Sequence, residues 1–191
     1  HVAYEKAVNN YQNKATIFYH IHNPDIHAKL NFIKSVPNSK WIMMVREPVE
    51  SCESWVSKPF IDNDYQNISM RIKTMLFDVD NIALRDKDAV GLRLEDLKQN
   101  PEAAIPALCK WMGIKEERNL YKMTAQGKKW WGDRTSPSFG KEGMLPFGKS
   151  ATNSKIGTVF SKDDRFILRT LFYPFSVSFG YIEEDLEQFK N

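Results

Sequence analysis

Apolar side chains follow two alternating patterns along the chain. A continuous apolar run at residues 41–45 predicts a strand and is typical of one covered on both faces in a parallel sheet, and residues 89–94 are a second strand candidate. A further short run at residues 17–19 predicts another strand. Apolar residues at steps of three and four predict helices that begin near Asp25, Pro48, Ile68, Pro101 and Ser161. Because strands alternate with helices, we expect an α/β fold whose central sheet is mainly parallel and flanked by helices.

Residues with special backbone preferences predict where several helices begin and end. Proline is accepted at a first helical position, which suits Pro48. Glycine is accepted in the left-handed conformation that ends many helices, which suits Gly113. Ser161 followed by Asp164 predicts a variant of the capping box at the start of the last helix. We expect that helix to turn these side chains inward: Phe166, Ile167, Leu171 and Phe172.

Residues 124–158 have no clear period, and glycine, proline, serine and lysine interleave there with aromatic residues, which predicts a long functional loop or lid. Within it, the stretch from Gly143 to Ser150 matches the phosphate-loop pattern G-x-x-x-x-G-K-S/T. A true phosphate loop follows a buried strand and opens an apolar helix, and neither flank has that pattern. A nucleoside triphosphatase or kinase is therefore the weaker alternative to a flexible glycine-rich loop, from which Lys149 or Ser150 could still face a nucleotide.

Composition narrows the class of protein. With 191 residues and 42% hydrophobic content, the chain is long enough to bury a core and is expected to form one domain. Its 27 basic and 24 acidic residues leave a net charge of only +3, so nucleic acid is not an expected partner. Cys52 and Cys109 lie among helical residues and are expected to be buried, with neither a disulfide nor a metal site. Without an apolar run that could span a bilayer, no membrane contact is expected from this segment, and the few cysteines favour the cytoplasm.

The segment after the run at residues 41–45 carries the residues best suited to bind an anion. Arg46 follows the predicted strand, Glu47 and Pro48 open a helix, and Ser54 lies two turns along it. Backbone N–H groups at a helix start, together with a bidentate guanidinium, suit a phosphate group. The alternative from the residues alone is an arginine that only ends a strand and a serine on a solvated helix face.

A series of motifs resembles those of sulfotransferases that use PAPS, 3′-phosphoadenosine 5′-phosphosulfate. Arg-x-Pro with a serine eight residues after the arginine is similar to the segment that binds the 3′-phosphate in this family. Residues 35–42 resemble the family's fPnAKfI approach, 94–102 its YEDL…dP segment, 111–114 its FLG, 154–157 its sRxG and 179–181 its lGY. The ordered similarity covers about residues 17–182.

The resemblance implies a single domain of sulfotransferase-like, P-loop-NTPase-like architecture. Its implied activity is direct in-line transfer of a sulfuryl group from PAPS to the hydroxyl or amine of a small-molecule or carbohydrate acceptor, without a metal. Arg46 and Ser54 would bind the 3′-phosphate, and Lys155 and the Gly157 backbone would add a third contact. Lys155 keeps the charge of the family's arginine but loses its planar fork. Leu94 stands where many members have a tyrosine that contacts the nucleotide.

His22 is the candidate general base, because His22-Asn23-Pro24 is similar to the His-Leu-Pro of cytosolic members. Two alternatives stay open: a loop or surface position without a catalytic role, or a glutamate from an upstream segment as the base. The family's upstream strand, phosphosulfate-binding loop and helix are not in this sequence, so the domain is expected to be incomplete at its N-terminus. A non-catalytic nucleotide-binding or scaffold protein of the same fold is the alternative function.

Overall fold

The computed structural model describes residue 18 and residues 26–79, 85–122, 124–125, 128–129, 147, 157–183 and 185. Backbone packing divides the chain into two units, His1–Pro37 and Asn38–Asn191. In the first unit, helix α1 covers Ile26–Ser35, as its apolar spacing predicts. The strand predicted at residues 17–19 lies outside the described residues, apart from Phe18.

The second unit contains the other described helices and strands. In chain order they are β1 (Lys40–Val45), α2 (Pro48–Ile61), α3 (Tyr65–Val79), β2 (Asp88–Arg93), α4 (Leu94–Gln99), α5 (Pro101–Met112), a 3₁₀ turn (Arg118–Tyr121), β3 (Thr124–Ala125), β4 (Lys128–Lys129), α6 (Lys162–Leu171) and α7 (Tyr173–Ser178). Within the described residues, no helix combines the length and the apolar character needed to cross a membrane.

Strands β1 and β2 form a two-stranded parallel sheet, with the register running from Lys40 opposite Asp88 to Val45 opposite Arg93. A parallel pair needs a crossover connection, which here includes α2 and α3. The predicted combination of helices with a parallel sheet is therefore confirmed at this level. Because the register is even, both strands end at the same level, and the residues that follow them share one edge of the sheet.

The prediction that β1 is covered on both faces is wrong. Met44 is 51% exposed, and Val45 is the one buried residue of the strand. The faces of a parallel sheet are covered by the helices that pack on them, and the position of Met44 is left open here. A continuous apolar run predicts a strand, but the sequence does not reveal how completely other elements cover its faces.

The core of the second unit lies between α2, α3 and the segment that includes α6. Residues at helical spacing on α2 supply Val49, Cys52 and Val56, which pack with Leu168 and Phe172. Partly buried residues cover this cluster: Ile68, Ile72, Met75, Leu76, Val159 and Phe160. Burying each large apolar side chain contributes roughly 1.5–3 kcal/mol, so this contact holds the C-terminal helices onto α2.

Both cysteines are buried, as predicted, and both are free thiols. Burial, followed by the nearby charge of Glu53, raises the pKa of Cys52 to about 11. The thiol is therefore neutral at ordinary pH and behaves as a small apolar side chain.

Helix α5 begins and ends where the local chemistry predicts. Pro101 occupies the first turn, and Gly113 ends the helix with a φ of 74° in the left-handed region. The N–H of Ile114 donates to the Cys109 carbonyl at 3.0 Å, and the N–H of Gly113 donates to the Lys110 carbonyl at 3.2 Å. These bonds satisfy carbonyls that the end of a helix otherwise leaves without partners.

The predicted capping box of α6 is confirmed. The prediction of which side chains of this helix face inward is only partly correct. The Asp164 N–H donates to the Ser161 hydroxyl at 3.1 Å, and the Ser161 N–H donates to the Asp164 carboxylate at 2.9 Å. Leu168 and Phe172 are the buried positions. Three residues predicted to face inward are exposed: Phe166 at 72%, Ile167 at 55% and Leu171 at 48%. The buried surface is therefore narrow, because only Leu168 and the following Phe172, one turn apart, pack in the cluster with Val49, Cys52 and Val56 of α2.

The region predicted as a long loop contains a short antiparallel pair, β3 with β4. Outside this pair, the described residues of the region are Phe147, Gly157 and Thr158. The lid prediction for residues 124–158 therefore falls mostly outside the described residues.

Candidate functional site

Arg46 lies at the carboxyl end of β1, directly before the start of α2. Its guanidinium Nη2 is 3.5 Å from the carboxylate of Glu50, and 22% of its side chain is exposed. Ser54 is exposed on α2, one turn beyond Glu50. Residues four apart on a helix are neighbours, so Glu50 stands between the two residues that were predicted to share a phosphate. Among the described residues, Arg46 forms an ion pair with Glu50.

The start of α2 is capped by the chain's own carboxylate. Glu47 accepts a hydrogen bond from the Glu50 N–H at 2.6 Å through its side chain. The N–H of Glu47 donates to the Glu95 carboxylate at 3.1 Å. Burial raises the pKa of Glu47, although hydrogen bonds from the backbone oppose that effect. Part of the set of N–H donors expected for a phosphate is therefore already used within the protein.

A second network closes the end of β2. Arg93 binds both carboxylate oxygens of Asp96, at 2.6 and 2.7 Å, and donates to the Gly180 carbonyl at 2.7 Å. The Tyr181 hydroxyl donates to Glu95 at 2.9 Å, and the Arg93 guanidinium lies 5.5 Å from the centroid of the Tyr181 ring. Burial and the Glu95 carboxylate raise the pKa of Tyr181. Two motifs that lie far apart in sequence, at residues 94–102 and 179–181, are brought into contact here.

Lys98 is a site residue that the sequence did not single out. It lies one turn into α4 and is half-buried. Burial, and then the positive charge of Arg46, lower the pKa of Lys98. The position of Lys98 in the sequence could have indicated it, because a basic residue one turn after a parallel strand lies at the same sheet edge as Arg46.

A pocket of about 250 Å³ opens beside Arg46. Its lining comes from the end of β1, the first two turns of α2, α3 and the C-terminal helices: Met43, Met44, Val45, Arg46, Pro48, Ser51, Trp55, Met75, Phe172 and Phe175. The lining is mainly apolar, with Arg46 as its charged member. Its size is slightly below that of pockets that enclose drug-sized ligands, so it suits one ring system of a larger ligand.

Gly157 is bound to α2 through a buried carboxylate. Its φ of 87° is in the left-handed region, and its N–H donates to both oxygens of Glu53 at 2.9 Å. The N–H groups of Val159 and Phe160 donate to the same carboxylate at 2.7 and 3.2 Å. Successive backbone N–H groups of this kind form a concave site for an anion. The Gly157 backbone was expected to contact a nucleotide, and its N–H here binds Glu53.

Glu53 is 2% exposed and was also missed by the sequence reasoning. Burial alone would raise the pKa of its carboxyl, but the hydrogen bonds from the backbone of Gly157, Val159, Phe160 and Thr158 outweigh burial and lower it. Glu53 is therefore ionised and held in place. The sequence could have indicated this role, because Glu53 is a charged residue directly after Cys52, which lies at a buried position of α2.

Three predicted features lie outside the described residues. They are the candidate base His22, the candidate cation Lys155 and, apart from Phe147, the stretch from Gly143 to Ser150. Among the described residues, no group of three or more histidine, cysteine, aspartate or glutamate side chains is arranged to hold a metal ion.

Comparisons of the chain with protein-family models, with curated protein sequences and with solved structures gave no match. The family relationship drawn from the motifs is therefore a proposal.

Proposed function

We propose that this chain is part of a PAPS-dependent sulfotransferase and has the sulfotransferase-like architecture that its motifs imply. The single observation that carries the proposal is the position of Arg46, which follows a parallel strand, precedes a helix and lines a mainly apolar pocket. In α/β sheets, ligands bind at the carboxyl ends of parallel strands. A ligand with an anionic group and an uncharged ring matches an arginine beside apolar walls.

In this proposal Arg46 binds the 3′-phosphate of the nucleotide, since a guanidinium can donate two parallel hydrogen bonds to a phosphate. A ring of the ligand would occupy the pocket, and the Ser54 hydroxyl would add a donor further along α2. Glu50 would compete with the phosphate for Arg46, because two anions on one guanidinium repel each other. Lys155 and the Gly157 segment would complete the phosphate site.

The proposed reaction is direct transfer. The acceptor's hydroxyl oxygen or amine nitrogen forms a bond to the sulfur of PAPS while the bond from that sulfur to the bridging phosphate oxygen breaks. The acceptor's proton passes to a base, for which His22 is the candidate. The products are the sulfated acceptor and 3′-phosphoadenosine 5′-phosphate (PAP).

The proposal is tested by Arg46→Ala and calorimetric titration with PAP and with adenosine 5′-phosphate. Removing one partner of a desolvated charge pair costs about 2–4 kcal/mol, so PAP binding should weaken by that amount. Adenosine 5′-phosphate lacks the 3′-phosphate and should be almost unaffected. Arg85→Ala is the matched control, because Arg85 is an exposed arginine that pairs with Asp86. Equal losses for the two nucleotides would overturn the assignment.

The carboxylates around the site favour a second candidate, a non-catalytic protein of the same fold. Glu50 pairs with Arg46, Glu47 accepts from the first turn of α2, and Glu53 accepts from Gly157. Donors that would bind an anion are thus bound by the protein's own side chains, as in a scaffold that has no nucleotide. Calorimetry identifies a scaffold, which predicts no preference for PAP over adenosine 5′-phosphate. A non-catalytic nucleotide-binding protein would keep that preference but would transfer no sulfuryl group in an assay with PAPS.

A further inference from the structure

Lys98 shares the carboxyl edge of the sheet with Arg46. The register pairs Val45 with Arg93, and α4 begins directly after β2 with Leu94. Lys98 therefore emerges one turn beyond the same edge from which Arg46 emerges. Burial, and then the positive charge of Arg46, lower the pKa of Lys98, in keeping with two cations at one sheet edge. An anion bound to both would turn the repulsion between these cations into attraction.

The carboxylates nearest to Lys98 in sequence are engaged with other groups. Asp96 binds both ends of the Arg93 guanidinium. Glu95 accepts from the Tyr181 hydroxyl. Within the part of the chain that the structure describes, Lys98 forms no ion pair. Lys98 therefore has no carboxylate partner of its own among the described residues, whereas Arg46 contacts Glu50 and Arg93 contacts Asp96.

We propose that Lys98 is a second cationic contact for the phosphate that Arg46 binds, so that side chains from the ends of two adjacent strands hold one phosphate group. The inference rests on the proposed function and adds a residue from outside the Arg-x-Pro motif. Hydrogen bonds between a cation and a phosphate oxygen are roughly twice as strong as neutral ones. Partial burial strengthens such a contact further, because less water screens it.

Calorimetric titrations of the 191-residue chain with PAP, adenosine 5′-phosphate and inorganic pyrophosphate test this inference. Pyrophosphate is included because it probes the two cations without any nucleotide. The variants are Lys98→Gln, Lys98→Arg and, as the matched control, Lys110→Gln on the exposed side of α5. Losing a charge-assisted hydrogen bond should weaken both PAP and pyrophosphate about tenfold or more in Lys98→Gln. Lys98→Arg should retain most of the affinity, and Lys110→Gln should behave as the unmodified chain.

The outcomes separate this inference from the proposed function. If PAP binds more tightly than adenosine 5′-phosphate but Lys98→Gln leaves its affinity unchanged, Lys98 is not a contact, while the proposed function stands. If pyrophosphate binding depends on Lys98 but PAP has no advantage over adenosine 5′-phosphate, the two-cation site stands and the proposed function fails. If neither PAP nor pyrophosphate binds, both are overturned.

A second measurement on the unmodified chain covers the case in which Lys98→Gln does not fold. Acetic anhydride acetylates accessible lysines, and mass spectrometry reports the extent at each position. Saturating PAP or pyrophosphate should reduce the acetylation of Lys98 severalfold and leave that of Lys110 unchanged. Equal labelling of Lys98 with and without a bound anion would overturn the inference.

Discussion

Two glutamates three residues apart on α2 occupy contrasting surroundings. Glu53 is 2% exposed, and its carboxylate accepts hydrogen bonds from the backbone of Gly157, Val159 and Phe160. The side chain of Glu50 is 29% exposed, and its carboxylate forms an ion pair of 3.5 Å with Arg46. The first carboxylate is enclosed by the protein, and the second is partly in water.

This difference separates a structural contact from an exchangeable one. A buried carboxylate with several donors cannot be removed without leaving those donors unsatisfied in a desolvated place. A partly exposed ion pair with a long contact of 3.5 Å contributes about 0–1 kcal/mol, since water and salt can replace either partner. We therefore expect Glu53 to matter for folding and Glu50 to matter for what Arg46 can bind.

The largest expected effect on stability is that of Glu53→Gln. The amide cannot accept from all of the backbone N–H groups, and it places its own N–H₂ group among them, so the free energy of unfolding should fall by about 3 kcal/mol. Urea denaturation followed by circular dichroism measures this change. Glu50→Gln is the control on the same helix. Losses of similar size in the two variants would show that the contrast between the two glutamates is wrong.

Acid should weaken the same contact by a smaller amount, because both oxygens of a protonated carboxyl keep lone pairs that can accept, whereas the amide nitrogen of glutamine can only donate. The pKa of Glu53 is lowered in the folded state below its ordinary value of 4.5. Its contribution to stability is therefore present above that ordinary value and is lost as pH falls through the folded pKa. Denaturation series from about pH 6 to about pH 3 should show a fall in stability that is shallower in Glu53→Gln. Parallel curves for the two proteins would contradict the assignment.

Tyr181→Phe probes a contact of intermediate burial. The hydroxyl donates to Glu95 at 2.9 Å, and its removal leaves a half-buried carboxylate with one donor fewer, which should cost about 1–2 kcal/mol. Tyr173→Phe is the matched control, because the Tyr173 hydroxyl accepts a hydrogen bond from the exposed Asp185 N–H and should cost about 0.5 kcal/mol or less. Chemical denaturation measures the free energy of unfolding of both variants. If Tyr173→Phe costs as much as Tyr181→Phe, burial does not rank these contacts.

Glu50→Gln should have the smallest effect on stability, about 0.5 kcal/mol or less. Under the proposed function it should nevertheless strengthen PAP binding about three- to tenfold, because the neutral side chain no longer competes for Arg46. Calorimetry measures the affinity, with Glu117→Gln as the control, since Glu117 forms an exposed ion pair with Lys115. Weaker PAP binding in Glu50→Gln would show that Glu50 supports the site and does not compete with the phosphate.

The features that the sequence predicted correctly depend on neighbouring residues. Pro101 and Gly113 bound α5, and Ser161 with Asp164 caps α6. Backbone preferences and capping bonds act within a few positions of the chain, so they can be recognised from the residues themselves. Arg46 at the end of β1 is predictable for the same reason, because it directly follows the apolar run.

The tertiary structure decided which of these pieces meet. Glu53 binds the Gly157 backbone, and Lys98 follows the strand that pairs with the strand of Arg46, although neither pair is close in sequence. The buried stripe of α6 was likewise set by the helix against which it packs, so Phe166 is exposed where the pattern predicted burial. Amphipathic spacing shows that a helix has an apolar face, but the width and direction of the buried stripe depend on its partner. The sequence by itself determined the local elements and their ends, while burial and charge contacts between distant residues were determined only by folding.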